Sequence, residues 1–367
     1  MSTDDDRTIR AGLSYYTGRA LPDHLIDAVH ALGLQPGSWA FPKPAAGLPV
    51  SRQQALDNLQ ALGSSLRERA AEASASLIVP DDPGWPAGAG CDDLPCLWIK
   101  GNRDLAARLD QSVALTGSHA GSEYGLRVAE EFTAALIDGR QTIVTSPAPG
   151  TDRRVLSAAL SMPGGRTVVV SDRGLDQRFG PPVAEVVARA VARGAVISPF
   201  PPGSSPTPSR RIFTDQLLFR IAAGTVVVEA ALGSQIMLAA RHAARAGFHV
   251  FAVPGPVTSA LSAGCHQLIG EGCAQMVTDA DEVINAAGYD RPSFIKPFTV
   301  TADVHRGEAA VGRQRFGPFP VWAASVAHAA NTAFDIVVGA PDVPVDLTVW
   351  VHSADGGREA ITISRAS

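Results

Sequence analysis

The chain has 367 residues, of which 46% are hydrophobic and 18% are charged, and its formal net charge at pH 7 is -5. This composition excludes a disordered or fibrous chain and predicts a soluble protein of two or three domains. The negative charge argues against a protein that coats nucleic acid through its overall field, so any nucleic-acid site must be a local basic patch. No apolar run is long enough for a membrane span, and the first ten residues are acidic and polar. We therefore expect a cytoplasmic protein without a membrane partner.

The four cysteines are too few and too scattered for a disulfide framework in a chain of this size. They are Cys91, Cys96, Cys265 and Cys273. No pair of Cys or His residues with the spacing of a zinc site accompanies them. We expect free thiols, no metal ion and no cofactor.

Residues 1–73 have the pattern of a small helical module. Apolar residues at spacings of three and four run from Leu56 to Leu66, and an earlier apolar face runs from Leu25 through Ile26 to Leu32. A link rich in Pro and Gly, residues 35–49, separates the two faces. The pattern predicts short helices that pack onto a larger neighbour.

From residue 113 onward, short apolar strands alternate with helical segments. Continuous Val and Ile runs separated by helices are typical of a parallel sheet that is covered on both faces. We predict an α/β fold of the extended, Rossmann-like type, with a doubly wound and mostly parallel sheet, in a domain that spans residues 74–290. The predicted strands are 113–116, 142–145, 167–171, 195–198, 225–229, 248–253 and 274–278.

The segment 291–367 is predicted to be a β-rich appendage. Residues 346–352 and 359–364 alternate between apolar and polar types, and Asp355-Gly356-Gly357 between them is a hairpin signal. Its role cannot be read from these residues.

The first strand of the predicted sheet ends in a Gly-Ser corner, VALTGSHAGSEYG, which then opens a helix. Glycines let backbone N–H groups approach an anion, and the N-terminus of a helix adds a favourable dipole. Gly117 and Ser118 are therefore candidates for a phosphate cradle, although the glycines match neither G-x-G-x-x-G nor a Walker A loop. The alternative is that these glycines only tighten the turn from strand to helix.

Later strand ends repeat this theme. SPAPGTD contains Gly150, and SPFPPGSSPTPSRR contains Gly203 and closes on Arg210 and Arg211. Because ligands bind outside the carboxyl ends of parallel strands where the strand order reverses, these loops are candidates for one shared site. A solvated surface loop is the alternative for the last of them.

The order of these motifs resembles the DNA-processing protein A family, also called DprA or Smf, over about residues 76–288. The lead-in LIVPDDPGWP and LPCLWIKGN, the corner, and the closing FAVPG and GCHQLIGEG all keep the family's order. The single positions that match are Gly117, Ser118, Tyr124, Gly125, Gly150, Asp152, Gly174, Leu175, Asp176, Ser198, Pro201, Pro202, Gly203, Glu229 and Ser234.

The resemblance implies a protein without catalytic residues that binds single-stranded DNA and acts as a homodimer. It implies a role in DNA uptake and natural transformation, in which the protein protects incoming DNA and loads the recombinase of homologous recombination. Phosphate contacts dominate such binding. The candidate DNA-binding residues are Gly117, Ser118, His119, Gly150, Gly203, Arg210, Arg211, Arg220 and Ser234.

Several positions depart from the family's basic pattern. His119 and Pro149 stand where the family has Arg, and the family's Arg-Asn-Arg run is LLFRIAAG here. We expect weaker binding, with the remaining arginines as replacement phosphate contacts and Phe219 either as a stacking face or as part of the core. Because the pKa of a free His is about 6.5, we also expect binding to tighten below about pH 6.

Two alternatives remain open. A paralogue that kept the fold and lost the pocket would act as a scaffold, and the missing arginines favour it. A nucleotide sensor or hydrolase of a related Rossmann-like family would use Glu229, but the glycine pair of such sites is absent after it. The retained glycines at several strand ends favour DNA binding over a pure scaffold.

Overall fold

The computed structural model describes residues 3–22, 25, 29, 41–43, 51–88, 90, 91 and 93–286, and the backbone of four strands between residues 296 and 365. The helices are α1 (Thr3–Leu13), α2 (Arg52–Glu72), α3 (Leu105–Leu109), α4 (Glu123–Asp138), α5 (Thr151–Ser161), α6 (Pro181–Arg193), α7 (Pro208–Ile221), α8 (Gln235–Arg245), α9 (Ala263–Gly270) and α10 (Ala280–Ala286). The strands are β1 (Ala20–Pro22), β2 (Phe41–Lys43), β3 (Ser76–Ile78), β4 (Leu97–Gly101), β5 (Ser112–Thr116), β6 (Thr142–Thr145), β7 (Thr167–Val170), β8 (Ala195–Ser198), β9 (Gly224–Val227), β10 (His249–Ala252), β11 (Gln275–Met276), β12 (Lys296–His305), β13 (Gln314–Ala323), β14 (Val345–Ser353) and β15 (Arg358–Arg365).

A nine-stranded sheet forms the centre of the protein, in the order β11-β10-β9-β5-β6-β7-β8-β4-β3. The strands from β11 to β8 are parallel, β4 runs antiparallel to β8, and β3 runs antiparallel to β4. The predicted α/β fold with a mostly parallel sheet is confirmed. The lead-in segment, which the sequence reading left without strands, contributes the two antiparallel strands at one edge.

Helices cover both faces of this sheet. Successive strand residues point to opposite sides, so each apolar strand contributes side chains to two cores, one on each face. On one face Ala114, Val144 and Ile197 pack in a cluster with residues of α1, α2 and α7. On the other face Val113 and Ile143 pack in a cluster with residues of α4, α5 and α10. Burial on both faces explains why the strands read as continuous Val and Ile runs.

The N-terminal helices share their core with the sheet. Ile9 and Leu13 of α1 lie in one cluster with sheet residues, and Trp98 Nε1 of β4 donates a hydrogen bond to Ser14 Oγ at 3.2 Å. The predicted face containing Ile26 and Leu32, and most of the predicted link 35–49, lie outside the described residues. The domain boundaries that we derived from the sequence stay a prediction.

The C-terminal segment forms a separate four-stranded sheet in the order β13-β12-β14-β15. β14 and β15 pair antiparallel, from Val345 opposite Arg365 to His352 opposite Arg358. This segment is β-rich, as predicted. The predicted turn at Asp355-Gly356-Gly357 lies outside the described residues.

The strand order reverses at β5, which lies between β6 and β9. Here α4 starts so close to the segment after β9 that only glycine fits at position 125. A Cβ atom at Gly125 would lie 2.7 Å from Cγ of Glu229 and would overlap the carboxylate itself. Gly125 therefore serves the close packing of helix and strand.

We expect Gly125→Ala to lower the free energy of unfolding by about 3 kcal/mol, because the added methyl group must displace a buried carboxylate. Urea unfolding followed by circular dichroism measures the loss. The matched control is Gly180→Ala, since no atom lies within 4 Å of a Cβ placed there. Equal stability of the two variants would contradict this account of Gly125.

Candidate functional site

The crevice at the strand reversal is filled by a side chain of the protein. Glu229, which is 1% exposed, accepts hydrogen bonds from Ser122 N at 2.9 Å and Ser122 Oγ at 2.5 Å. Ser122 is also the N-cap of α4, so the carboxylate of Glu229 lies at the positive end of that helix. The place where a nucleotide phosphate would bind in a related fold therefore already holds an anion.

The neighbouring strand ends are joined by the buried carboxyl of Asp152, in the first turn of α5. It accepts hydrogen bonds from Thr116 Oγ1 at 2.9 Å, Gly117 N at 3.3 Å and Ser146 Oγ at 2.5 Å. Burial raises the pKa of Asp152 to about 6, against the lowering effect of these hydrogen bonds. Gly117, a predicted phosphate contact, thus donates its amide proton to Asp152.

The loops after β5 and β6, residues 117–121 and 146–150, are locked together, and we call them the paired loops. Thr151 N and Thr151 Oγ1 both donate to Ser118 O, at 3.0 and 3.1 Å. Gly150 has φ 76°, and a Cβ there would overlap the carbonyl groups of Ser118 and His119. The structure therefore brings Gly117, Ser118, His119 and Gly150 together, as the strand-end argument predicted.

A cleft of about 160 Å³ opens beside the paired loops, and we call it the β6–β7 cleft. It lies among the loop after β6, the loop after β7 and the start of α7. Its lining includes Ser146, Pro147, Ala148, Pro149, Val170, Asp172, Arg173, Phe179, Gly180, Val183, Arg211, Thr214 and Asp215. The cleft thus combines apolar walls with charges of both signs.

Arg211 is the predicted cation that reaches this edge. Its side chain is 41% exposed, and its guanidinium lies 3.5 Å from a carboxylate oxygen of Asp172. Its charge also lowers the pKa of His119, after the larger effect of burial. Arg211, which lines the β6–β7 cleft, is therefore close enough to His119 of the paired loops for their charges to interact.

Two other predicted arginines turn inward. The guanidinium of Arg210 donates to Ser205 O and lies over the Phe200 ring, 5.4 Å from its centroid. Arg220 is 8% exposed and lies 3.6 Å from the buried carboxylate of Asp93. Both side chains belong to the packing of α7, because buried cations need a partner, and the structure does not bring them to the paired loops.

Two predicted loop contacts also have other partners. Gly203 N donates to both carboxylate oxygens of Asp176, at 2.8 and 3.0 Å, and Asp176 in turn holds Arg69. Ser234 Oγ accepts from Met237 N at 3.5 Å as the N-cap of α8, after β9. Neither group lies in the lining of the β6–β7 cleft.

Phe219 is part of the core. It is 1% exposed and packs among residues of α8 and β10. Of the two interpretations that the sequence left open, the structure favours the core over a stacking face. The neighbouring Leu217 and Leu218 are also fully buried.

The sequence reading missed the acidic side chains at this edge. Asp172 and Asp215 both line the β6–β7 cleft. Burial, and then the charge of Asp152, raise the pKa of Asp215 to about 7. Asp172 directly follows an apolar strand, which is a usable signal, whereas Asp215 lies within a helix and carries no local signal.

Cys91, Cys96, Cys265 and Cys273 are free, as predicted. Within the described ranges, no three His, Cys, Asp or Glu side chains form a group that could hold a metal ion. Of the described helices, none is long and apolar enough to span a membrane.

Asp152→Asn tests the carboxyl that joins the loops. Because its pKa is raised in the folded state, the folded protein binds a proton more tightly than the unfolded chain, and wild-type stability falls as pH rises from about 4 to 6. The variant lacks this loss. We therefore expect its free energy of unfolding, relative to that of wild type, to rise by about 1 to 2 kcal/mol between pH 5 and pH 7.5. Urea unfolding at the two pH values measures the difference.

The control for this series is Asp138→Asn, an exposed carboxylate at the end of α4. Its stability relative to wild type should stay constant over the same pH range. A constant offset for Asp152→Asn as well would contradict the raised pKa.

Comparison with solved structures shows where this fold occurs. The crystal structure of DNA processing protein A from Streptococcus pneumoniae has a TM-score of 0.60 at 23% identity, covering 78% of this chain and 98% of that chain. The structure of the Helicobacter pylori protein, solved to describe its single-stranded DNA binding mode, has a TM-score of 0.51 at 21% identity and covers 59% of this chain and 96% of that chain. These likenesses concern the fold.

Comparison of sequences shows the family. A putative DNA processing protein DprA of Mycobacterium tuberculosis is 35% identical over 226 residues, which make up 58% of this chain and 58% of that protein. The Streptococcus pneumoniae DprA is 32% identical over 208 residues, or 56% of this chain and 72% of that protein. The chain thus spans less than two thirds of its mycobacterial relative. The model of the family described as DNA recombination-mediator protein A matches residues 76–288, and the chain therefore belongs to this DprA/Smf family.

Proposed function

We propose that the protein binds single-stranded DNA at the paired loops, with Arg211 as the main cationic contact. Family membership supports this function, and so does the single-stranded DNA binding described for the Helicobacter pylori relative. We further propose that the protein protects incoming DNA during uptake, acts as a homodimer, and loads the recombinase of homologous recombination. The description of the family as a recombination mediator supports the role in recombination. It needs no cofactor and no catalytic residue.

The observation that carries the proposal is the arrangement of backbone amides at the paired loops. The N–H groups of Ser118, His119 and Gly150 make no hydrogen bond to another described residue. Gly150 also precedes the first turn of α5, so the helix dipole favours an anion there. The half-exposed guanidinium of Arg211 adds a charge beside them. Together these groups suit a phosphate of the DNA backbone.

The scaffold function is the second candidate, because Arg210 and Arg220 are bound inside the fold. A scaffold would fold normally and bind no DNA even at low salt. A hydrolase based on Glu229 has less support, since that carboxylate is buried and held by Ser122. Fluorescence anisotropy with a labelled oligo-dT strand in a salt series therefore tests the proposal directly.

Changes in charge at the paired loops should change the salt dependence of binding. Each phosphate contact contributes about 0.7 to the slope of log affinity against log salt for single strands. We expect His119→Arg to bind more tightly with a steeper slope, and Arg211→Met to bind more weakly with a slope lower by about 0.7. Anisotropy titrations at several salt concentrations measure both.

The matched control is Arg245→Met, in the last turn of α8. This helix end precedes β10, so Arg245 lies at the amino ends of the parallel strands, whereas the paired loops lie at their carboxyl ends. Removing the charge of Arg245 should therefore leave the slope unchanged. If Arg211→Met and Arg245→Met had equal slopes, the paired loops would not be the binding site.

The pH dependence of binding separates His119 from Asp215. Burial and Arg211 lower the pKa of His119 below its usual 6.5, so the expected tightening moves to pH values lower than the sequence predicted. Protonation of Asp215, whose pKa is raised to about 7, removes a negative charge and should tighten binding as pH falls from 8 to 6.

Wild type and His119→Gln should therefore change in parallel between pH 8 and 6, and diverge only at lower pH. Anisotropy across this range shows the divergence. If the two proteins already diverged between pH 7 and 6, then the pKa of His119 would not be lowered.

A further inference from the structure

The segment of residues 14–19, which follows α1, lies at the same edge of the sheet as the paired loops. Ser14 Oγ accepts a hydrogen bond from Trp98 Nε1 of β4 at 3.2 Å, and Trp98 is paired with Ser198, the last residue of β8. Because β8 is parallel to β7 and β6, the carboxyl ends of all three strands lie at this edge. The N-terminal part of the chain therefore reaches the edge of the sheet at which we propose that DNA binds.

Within this segment, the guanidinium of Arg19 lies over the ring of Tyr15. Tyr15 is 40% exposed, and Cζ of Arg19 is 4.4 Å from the centroid of its ring. The guanidinium of Arg19 makes no hydrogen bond or ion pair with any residue that the structure describes. The other described arginine side chains before residue 74 each pair with a carboxylate, namely Arg7 with Asp82, Arg10 with Asp6, Arg67 with Asp4 and Arg69 with Asp176. Arg19 and Tyr15 thus combine an aromatic surface with a cation that no described carboxylate neutralises.

The start of α7 connects this pair to the proposed DNA site. A Cβ atom at Gly18 would lie 3.8 Å from the ring of Phe200, and the guanidinium of Arg210 lies 5.4 Å from the centroid of the same ring. Burial, and then the charge of Arg19, lower the pKa of Arg210, so the two guanidinium groups are close enough for their charges to interact. Arg211 follows Arg210 in the chain and is the main cation of the proposed site. The three arginines therefore extend positive charge from the β6–β7 cleft toward the end of α1.

The chemistry of this surface suits a single strand of DNA. Aromatic rings and guanidinium planes stack on nucleobases, and such stacking tolerates any sequence because every base has a π face. A guanidinium also neutralises the phosphate of the backbone. Asp172, whose charge acts on Arg210, already pairs with Arg173 and with Arg211. Arg19 therefore remains available to a phosphate.

We propose that a strand bound at the paired loops continues to the end of α1, where a base stacks on the exposed side of the Tyr15–Arg19 pair and Arg19 neutralises a phosphate. This inference rests on the proposed function. The family model begins at residue 76, so both residues lie outside the part of the chain that it matches. The N-terminal segment of this chain thus adds a second contact, which compensates for the family cations replaced by His119 and Pro149.

The first test measures affinity for labelled oligo-dT strands of about 4 to 16 nucleotides, the range of site sizes of known single-strand-binding folds. Wild type, Tyr15→Leu and Tyr15→Trp are compared by fluorescence anisotropy at low salt. The shortest strands contact only the paired loops, so all three proteins should bind them equally. The longest strand should bind wild type about tenfold more tightly than Tyr15→Leu, because the stacking face is lost. Tyr15→Trp keeps an aromatic face and should bind this strand at least as tightly as wild type.

Arg19→Met supplies the second measurement. The slope of log affinity against log salt should fall by about 0.7 for the longest strand and stay unchanged for the shortest, because one phosphate contact is lost. The control Arg245→Met should keep the wild-type slope for every strand. A merely structural defect would instead weaken strands of all lengths equally.

Three outcomes would overturn the inference. Equal binding of the longest strand by wild type and Tyr15→Leu would remove the second contact and leave DNA binding at the paired loops intact. Weakening of every strand by the same factor in both Tyr15 variants would assign the ring a structural role. Absence of binding of any strand to folded wild-type protein at low salt would refute the proposed function, and the second contact with it.

Discussion

The buried carboxyl of Asp152 is the interaction on which the candidate site depends. It holds Thr116, Gly117 and Ser146 at once, and so it fixes the ends of two neighbouring strands to the start of α5. Three hydrogen bonds offset part of the cost of removing this group from water. Because the loops on both sides are tied to it, the backbone amides they expose have a fixed separation. A mobile pair of loops would have to be ordered at each binding event, at a cost in conformational entropy.

The distribution of charge follows from how α7 packs. Its arginines at 210 and 220 satisfy partners inside the fold, while Arg211 remains at the surface beside two carboxylates. The site is therefore not a strongly positive field, in agreement with the net charge of -5. Binding of an anion at such a site would depend on oriented backbone amides more than on long-range attraction. The affinity of the proposed site for DNA should then be modest compared with that of a basic groove.

The sequence was sufficient to predict the parallel strands and the loops at their carboxyl ends, because these follow from the periodicity of apolar residues. Runs such as Thr167–Val170 identify buried parallel strands. The rule that ligands bind at the carboxyl ends of parallel strands also led to the loops of His119 and Gly150, which the structure brings together. Hydrogen-bond and ion-pair partners that are distant in the chain could not be predicted from the sequence. No local sequence pattern around Arg220 predicts its ion pair with Asp93. Likewise, no pattern around Gly203 predicts that its N–H donates to Asp176. The direction of a side chain depends on three-dimensional packing, so residue type and spacing overestimated the number of cations at the site.

Glu229 changes what the strand reversal can do. In related folds this crevice is open and takes the phosphate of a nucleotide at a helix N-terminus. Here the carboxylate has that position permanently and makes the hydrogen bonds that a phosphate oxygen would make. The protein thus has a carboxylate of its own where related folds bind the phosphate, and a nucleotide could enter only by displacing it. Rising nucleotide concentrations would therefore leave this edge of the sheet unchanged, and a DNA strand at the next pair of strands would bind without such a competitor.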